Sequence, residues 1–431
     1  MREKMNERTG RRAVLGLPLM FWGLWLALLI LWMGRFVISF MSMYLVKDLH
    51  VDARLAGTIV SMYGFGGIFG CLFGGSLSDR FGRPAMIIAG EIGSAAMLVL
   101  LSFIDDPTLM GAMLLVYGAI SSIPTPAIAA YIADVVPMRD QKRAYTLQTW
   151  AVNFGFAIGP IIANQLVKIS YTLMFYAEAV ILVVATCMLT FFFHEARVHA
   201  ATAPCDAGAE NRPAIPAETR AGQGVSMLAN YRRAFADCPF MSMVVLMFGY
   251  TIAYFQMTSG LPIAMTGLGM GTDQYSVLLT INGGMLCLLQ IPAIAVFNRI
   301  SNTRVLVLGM LMTAVGYMFQ IGATTWHAFA IATVLWTFGE LGTFPIAATT
   351  VANLAPTEAR GTYQGLYNLV WALSNGAAPL VGGWIISGFG SHVLWVCCTV
   401  MFLLVAAGLY ATKGGRERAI ARNLRAADLE R

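Results

Sequence analysis

Charge is what this chain lacks most. Only 12% of its 431 residues are Asp, Glu, Lys or Arg, about half of the roughly 25% typical of soluble domains. With 58% hydrophobic residues and a mean hydropathy of +0.69, a water-soluble globular class is excluded. Cysteine is scarce and badly placed for a disulfide framework. Cys71, Cys187, Cys287, Cys397 and Cys398 fall in apolar runs, and Cys205 and Cys238 in or near the one long polar segment, so no bridging pattern and no metal-ligand spacing emerges. Absent too are a His–Glu zinc spacing, a phosphate-cradling glycine motif after a strand, and a Ser/His/Asp arrangement. No catalytic residues and no metal site are expected, and the chain does not read as an enzyme. His194, His327 and His392 stand alone near helix ends.

What is present is apolar length. Twelve runs recur along the chain, at 19–46, 54–77, 85–104, 108–133, 144–167, 172–194, 240–265, 273–297, 304–322, 327–353, 363–387 and 391–412. Each can cross a hydrocarbon core about 30 Å thick at about 1.5 Å per residue. All are expected to be helices, because a spanning backbone finds no water to bond in lipid. The first run follows a basic tail, Arg11-Arg12, but it is too long for a signal peptide, and eleven more runs follow it.

The few bases are sorted. With the N-terminus placed inside, 24 of the 28 Lys and Arg fall in inner loops and tails; Lys47, Arg54 and Lys168 fall outside and Arg35 lies within a span. That asymmetry predicts both termini in the cytoplasm. The net charge of +6 then reads as a topogenic bias, and no nucleic-acid partner is expected.

Residues 195–239, rich in Ala, Pro, Gly and charge, divide the runs six and six. They read as a cytoplasmic linker with a short surface helix near Met227–Ala236. Residues 1–194 form the first six-helix unit with its tail, 240–412 the second, and 413–431 a cytoplasmic C-tail. A shift of 219 residues lays one half on the other. Ala133-Asp-Val-Val-Pro137 falls on Ala352-Asn-Leu-Ala-Pro356, Pro126 on Pro345, Pro160 on Pro379, Arg80 on Arg299 and Gly90 on Gly309. Parallel six-helix repeats are what a two-bundle transporter with a midplane site requires. The register fails where it is informative: Asp79 meets Asn298, and Asp134 meets Asn353.

Two motifs carry a family resemblance. Between runs 2 and 3 stands Gly75-x-x-x-Asp79-Arg80-x-Gly82-Arg83, and in run 5 Gly155-Phe-Ala-Ile-Gly159-Pro160. The first resembles the loop signature of the major facilitator superfamily. The second is similar to the antiporter motif of its twelve-span drug:proton antiporter (multidrug efflux) group, in which glycines allow close helix packing and proline bends the helix. Ala163 and Asn164 stand where that motif closes with glycines, and Pro84 where the signature often has another base. Run 4 also lacks the arginine usual in that group. The resemblance implies an all-α membrane protein of the major facilitator fold, with 12 transmembrane helices in two pseudo-symmetric six-helix bundles. It further implies that Gly75, Asp79, Arg80, Gly82, Arg83 and Asp134 form a conformational latch, which the asparagines at 298 and 353 of the repeat confine to the first half. Asp79 would face the start of run 11 near Gly361. Peptide:proton symporters share a similar Gly-Glu in run 10, but acids precede their run 1 arginine, whereas Trp32-Met33-Gly34 precede Arg35 here.

Ionisable residues within spans cost roughly 2.5–3.5 kcal/mol at mid-membrane, so four need a reason: Arg35, Glu91, Glu178 and Glu340. Arg35 and Glu340 are expected at mid-helix on two helices that, by the resemblance, line the central cavity. They are the proton-coupling candidates, Glu340 as carrier and Arg35 as its tuner. The alternatives are a static Arg35–Glu340 pair joining the halves, or no contact between them. Glu91 reads as structural, near the level of the signature loop, and Glu178 as partly wet near the outer end of run 6. Tyr250, Tyr254, Gln256, Trp336, Asn368 and Trp371 are candidate cavity residues, since an aromatic wall suits lipophilic or cationic solutes; lipid-facing or packing roles are the alternative for each. The expectation is a secondary active transporter, monomeric, in a bacterial inner membrane. It takes a small-molecule substrate in a lipid bilayer, uses no cofactor, and has protons as the coupling ion. Drug export leads, and a carrier of one metabolite or peptide, exporter or importer, follows.

Overall fold

The structure is a computed structural model that describes residues 13–14, 17–136, 138–202, 227–297, 299–356 and 359–429. Twelve segments in it are long and apolar enough to cross a membrane. They are Leu19–Lys47, Ala53–Ser78, Arg83–Leu101, Pro107–Ile132, Arg143–Val167, Tyr171–Phe193, Cys238–Gly267, Thr272–Phe297, Asn302–Ile321, Trp326–Leu354, Gly361–Phe389 and Ser391–Ala411, here spans 1 to 12. Their ends lie within three residues of the expected runs. Among the described residues the only strands are a minimal pair, Ala13–Val14 with Leu17–Pro18, ahead of span 1.

Packing follows the repeat. In the first half span 2 packs on 4, span 1 on 5 and 6, and span 3 on 6. In the second half span 8 packs on 10, span 7 on 11 and 12, and span 9 on 12. The halves meet where span 2 packs on 11 and span 5 on 8, contacts that exchange with each other under the repeat.

Three spans are broken. Span 4 stops at Ser122 and restarts at Pro124, where two nearby prolines remove backbone donors. Span 7 runs helically to Tyr254, tightens through a 3₁₀ turn at Phe255–Met257 and resumes at Gly260. Tyr250, Tyr254 and Met257 therefore do not lie on one continuous helix. Span 1 ends a helix at Gly34 and begins another at Val37, with no proline at the break. Arg35 sits in that gap at φ −81°, ψ 74°.

The bundles close at one end. A Cβ on Gly57 would strike the Pro379 carbonyl, and one on Gly64 the backbone of Gly376, so glycine is what lets spans 2 and 11 touch there. The same antiparallel register sets Gly75 opposite Gly365, yet a Cβ on either, or on Gly361, meets nothing within 4 Å. The two helices therefore diverge toward the end that carries the tails. At the opposite end the second segment of span 1 packs on that of span 7, with the Phe40 and Tyr275 rings 5.5 Å apart. There Asp273 bonds Asn164 at 2.7 Å and Lys168 at 2.9 Å across spans 5 and 8.

Two extramembrane helices complete the second half. The linker helix Met227–Ala236 forms where the sequence predicts it, and a tail helix spans Lys413–Leu429. Asn423 Nδ2 donates to the Leu354 carbonyl at 2.7 Å, satisfying an end-of-helix acceptor of span 10.

Candidate functional site

The broken spans bring polar side chains to two places. In the second half Glu340, 6% exposed, accepts from Tyr254 Oη on Oε1 at 2.7 Å and from Asn282 Nδ2 on Oε2 at 2.8 Å. Asn282 is in turn shared with Thr337 Oγ1 at 3.1 Å. Spans 7, 8 and 10 thus converge on one carboxyl group, and both of its donors are neutral.

In the first half Arg35 Nη2 meets Glu91 Oε1 at 2.7 Å. This corrects the expectation that Arg35 tunes Glu340. The arginine belongs to a charge pair within its own bundle, because the gap in span 1 turns it toward span 3. It also corrects the level assigned to Glu91, which is fully buried at the middle of a 19-residue helix.

Glu178 is likewise buried rather than wet, at 1% exposure. Its Oε2 accepts from the backbone N–H groups of Phe36 at 3.1 Å and Val37 at 2.7 Å, and its Oε1 from Tyr117 Oη at 3.1 Å. The carboxylate therefore lies at the N-terminus of the second helix of span 1, where free N–H groups and the helix dipole favour an anion. In apolar surroundings an unpaired N–H costs several kcal/mol. Glu178 is thus what makes a proline-free break tolerable.

The repeat relates the two clusters. Under the 219-residue shift Arg35 falls on Tyr254, Tyr63 on Asn282 and Ser121 on Glu340. Ser121 Oγ lies 3.3 Å from Tyr63 Oη, in the position of the Asn282–Glu340 bond. One place in each bundle is polar; the first half fills it with hydroxyls and an arginine, the second with an amide and an acid. Tyr63, Tyr117 and Asn282 were missed in the sequence, although extending the register beyond Glu340 finds Tyr63 and Asn282.

The aromatic candidates divide into wall and surface. Tyr250 and Trp336 are packed behind the site, at 0% and 1% exposure; the Tyr250 ring lies 5.4 Å from both Phe344 and Phe402. Gln256 is committed to helix packing: its Nε2 donates to the Ala378 carbonyl at 2.8 Å, and its Oε1 accepts from Ser259 Oγ at 3.2 Å. Only the placing of Gln256 follows from the break in span 7, whose 3₁₀ turn carries that side chain onto span 11; Tyr250 and Trp336 are taken up by aromatic packing. Trp371 is half-buried, its ring tilted against Phe344 at 4.6 Å and edge-on to Phe255 at 5.7 Å, and Asn368 is exposed. Tyr254, Phe344, Phe255 and Trp371 therefore form a continuous aromatic run from Glu340 outward.

Gly155 and Gly159 pack span 5 against span 1 just before its break. A Cβ on Gly155 would lie 2.6 Å from Trp32 Cβ, and one on Gly159 2.9 Å from the Met33 carbonyl oxygen. Pro160 lies within the same helix. In the signature loop Gly82 takes φ 92°, a conformation open to glycine, between two helices. Arg80 is exposed and Arg83 half-buried. The side chains of Asp79 and Asp134 lie outside the described residues, as does Asn298.

The profile of the Major Facilitator Superfamily matches residues 24–273 and 243–428. The chain is 25% identical over 368 residues to the uncharacterized MFS-type transporter YttB of Bacillus subtilis, covering 84% of this chain and 87% of that one. It is 24% identical over 346 residues to the multidrug resistance protein MdtH of Yersinia pestis, covering 79% and 80%. Among solved structures it is similar to a D-xylose-proton symporter, with TM-score 0.69, 17% identity and coverage of 90% and 96%. It is also similar to a POT family transporter in complex with a thioalcohol-conjugated peptide, with TM-score 0.75, 14% identity and coverage of 94% and 98%.

Proposed function

Because the chain belongs to the major facilitator superfamily, we propose that it is a secondary active transporter that couples proton movement to export of small amphipathic compounds. The observation that carries this reading is Glu340, an acid at bilayer depth whose two hydrogen-bond donors are both neutral. An unpaired charge in such a place is costly, and a proton is the counter-charge that the transport cycle can supply and remove. The adjoining run of Tyr254, Phe344, Phe255 and Trp371 offers a lipophilic or cationic solute an aromatic surface. Such a solute in the cavity competes with the proton for the same carboxylate, which is the logic of exchange.

Alternating access follows from the two interfaces. In this conformation the bundles touch at the end away from the tails, and spans 2 and 11 diverge at Gly75 and Gly365. With the tails in the cytoplasm, as the distribution of bases indicates, the cavity opens inward in a bacterial inner membrane. The Gly75–Arg83 loop and Asp134 then act as the latch that engages span 11 when this end closes.

A second reading, a carrier of one polar metabolite or peptide, is favoured by Arg35. A partly exposed guanidinium beside the cavity serves a polar or anionic solute better than a lipophilic cation. The multidrug name of the MdtH relative supports export; the sugar-symporter and peptide-transporter structures fit the second reading.

The test is proton flux in inverted vesicles against a panel of lipophilic cations and polar metabolites, with wild type and Glu340→Gln. Flux in response to several unrelated cations, abolished in a folded Glu340→Gln variant, is the expected result. Full coupled transport by that variant overturns the role of Glu340. A response to one polar metabolite alone selects the second reading.

A further inference from the structure

We propose that the end of the molecule away from the tails is held shut by two clasps, Arg54 and Asp273, which the repeat makes equivalent and which cross between the bundles by different chemistry. This rests on the rocking of the two bundles described above and goes beyond it in naming what holds one state. The 219-residue shift lays Arg54 on Asp273, the second residues of spans 2 and 8. The Arg54 guanidinium carbon lies 4.2 Å from the centre of the Trp384 ring, near the end of span 11. Asp273 Oδ1 accepts from Asn164 Nδ2 at 2.7 Å and meets Lys168 Nζ at 2.9 Å, at the end of span 5. Each contact joins a side chain of the first bundle to one of the second.

The clasps give a use to the bases that escape the sorting. Lys47, Arg54 and Lys168 are the ones that the sequence places at this end, against the bias that gathers bases at the other. All three belong to the first bundle and face the second. Lys168 binds Asp273, Arg54 covers Trp384, and Lys47 Nζ lies 3.9 Å from where a Cβ of Gly271 would stand, two residues before Asp273.

Beneath the clasps the backbones touch on both seams. A Cβ on Gly383 would strike the Ala53 carbonyl, and one on Gly283 would lie 2.8 Å from Ala157 Cα. The shift lays the Gly64–Gly376 contact on Gly283–Ala157, so this close fit repeats. The clasp partners do not: Trp384 falls on Gln165, Asn164 on Gly383 and Lys168 on Ser387. One clasp is therefore a cation over a neutral ring and the other an ion pair. Both meet water, with the Lys168 and Asp273 side chains 48% and 61% exposed and Trp384 54% exposed. Contacts of this kind shift an equilibrium by about two- to fivefold each, enough to bias the closed state and little enough to break once in every cycle. Salt screens an ion pair, whereas the ring carries no net charge, so the two clasps answer differently to ionic strength.

Spin labels at Phe103→Cys and Phe389→Cys, exposed positions at this end on opposite bundles, report the distance across it. The full-length protein is used, with its seven native cysteines replaced by alanine. Distances are compared at about 0.01 M and about 1 M salt, between which the Debye length falls from about 30 Å to about 3 Å. Asp273→Asn should raise the long-distance population about two- to fivefold at low salt and abolish the salt response, since salt alone brings wild type to the same population. Arg54→Gln should raise it by a similar factor at both salts and keep the response. Asp105→Asn, an exposed acid at the same end between spans 3 and 4, should change nothing. Gly64→Ala, which forces this end apart without altering either clasp, separates the clasps from the rocking itself. Wild-type distances in both clasp variants, while Gly64→Ala opens this end, overturn the clasps and leave the rocking intact. An end that stays shut in all three variants overturns both. A salt response that survives in Asp273→Asn refutes Asp273 as the ionic clasp.

Discussion

Removing the carboxylate of Glu178 should release the break in span 1. In Glu178→Ala three donors lose an acceptor: the Phe36 and Val37 backbone N–H groups and Tyr117 Oη. Phe36 N–H keeps a second acceptor, the Gly34 carbonyl at 3.0 Å. Two donors are therefore stranded in a buried site, at about 1–3 kcal/mol each, for a loss of about 2–6 kcal/mol. That is a large fraction of the roughly 5–15 kcal/mol by which domains are stable. Glu178→Gln keeps an acceptor oxygen of the same reach and loses the charge at the helix N-terminus, worth up to about 2 kcal/mol. The expected order of stability is wild type, then Gln, then Ala. Unfolding of the detergent-solubilised protein, followed through its nine tryptophans, reads this order as unfolding temperature at a fixed scan rate. An Ala variant that unfolds with wild type, or a Gln variant less stable than Ala, refutes the assignment of Glu178 as the acceptor that permits the break.

The Arg35–Glu91 pair should behave as a unit. Glu91→Ala leaves a guanidinium unpaired at depth and should cost about 3–5 kcal/mol, while the double variant Arg35→Leu/Glu91→Leu should recover most of that stability; a harmless single variant, or a double variant as unstable as the single, contradicts the pairing. Gly64→Ala should force spans 2 and 11 apart at their closed end, because the new carbon meets the Gly376 backbone and no flexible side chain can yield. Spin labels at Gly75→Cys and Gly365→Cys should then report a shorter distance at the opposite end, together with at least a roughly tenfold loss of turnover, since about 1.4 kcal/mol of bias toward one state suffices for a factor of ten. An unchanged distance counts against the two-ended rocking described above.

The spans were legible because hydropathy is a property of the chain read in order; a run of 18 or more apolar residues needs no partner to be recognised. The pairings were not. Arg35 and Glu91 are 56 residues apart, and Glu178 lies 142 from Phe36. Placing Glu178 near the outer end of its span gave its depth along the helix but said nothing of span 1, whose second helix covers it. Glu91 stands eight residues after Arg83, about 12 Å into the membrane at helical rise, which should have set it well below the signature loop. Gln256 looked available beside Tyr254 because an unbroken helix was assumed; the 3₁₀ turn at Phe255–Met257 rotates it onto span 11. The break in span 4 has its prolines, whereas that in span 1 rests on an acid from another helix, so local sequence could not show it. The internal register was the one long-range signal in the chain. Followed from Ser121 and Glu340 back to Arg35 and Tyr254, it locates both polar clusters.

That register also explains why charge is handled differently in the two halves. Among its described residues the first half buries two acids, Glu91 and Glu178, and gives each a compensation built into the fold. Glu91 has the Arg35 guanidinium at 2.7 Å, and Glu178 has the N-terminus of a half-helix. Both compensations come from within the same bundle. In the second half the position of Arg35 is taken by Tyr254, whose hydroxyl binds Glu340 without neutralising it. An arginine there would hold the acid permanently as an ion pair, and the cavity charge would then be constant through the cycle. A tyrosine and an asparagine can orient the carboxyl group in either protonation state, with Tyr254 Oη able to donate to the anion or accept from the acid. Replacing Tyr254 by Arg, which copies the first half into the second, should therefore leave substrate binding measurable while uncoupling transport from the proton gradient. Retention of gradient-driven accumulation by a folded Tyr254→Arg variant would show that neutrality around Glu340 is not what coupling requires.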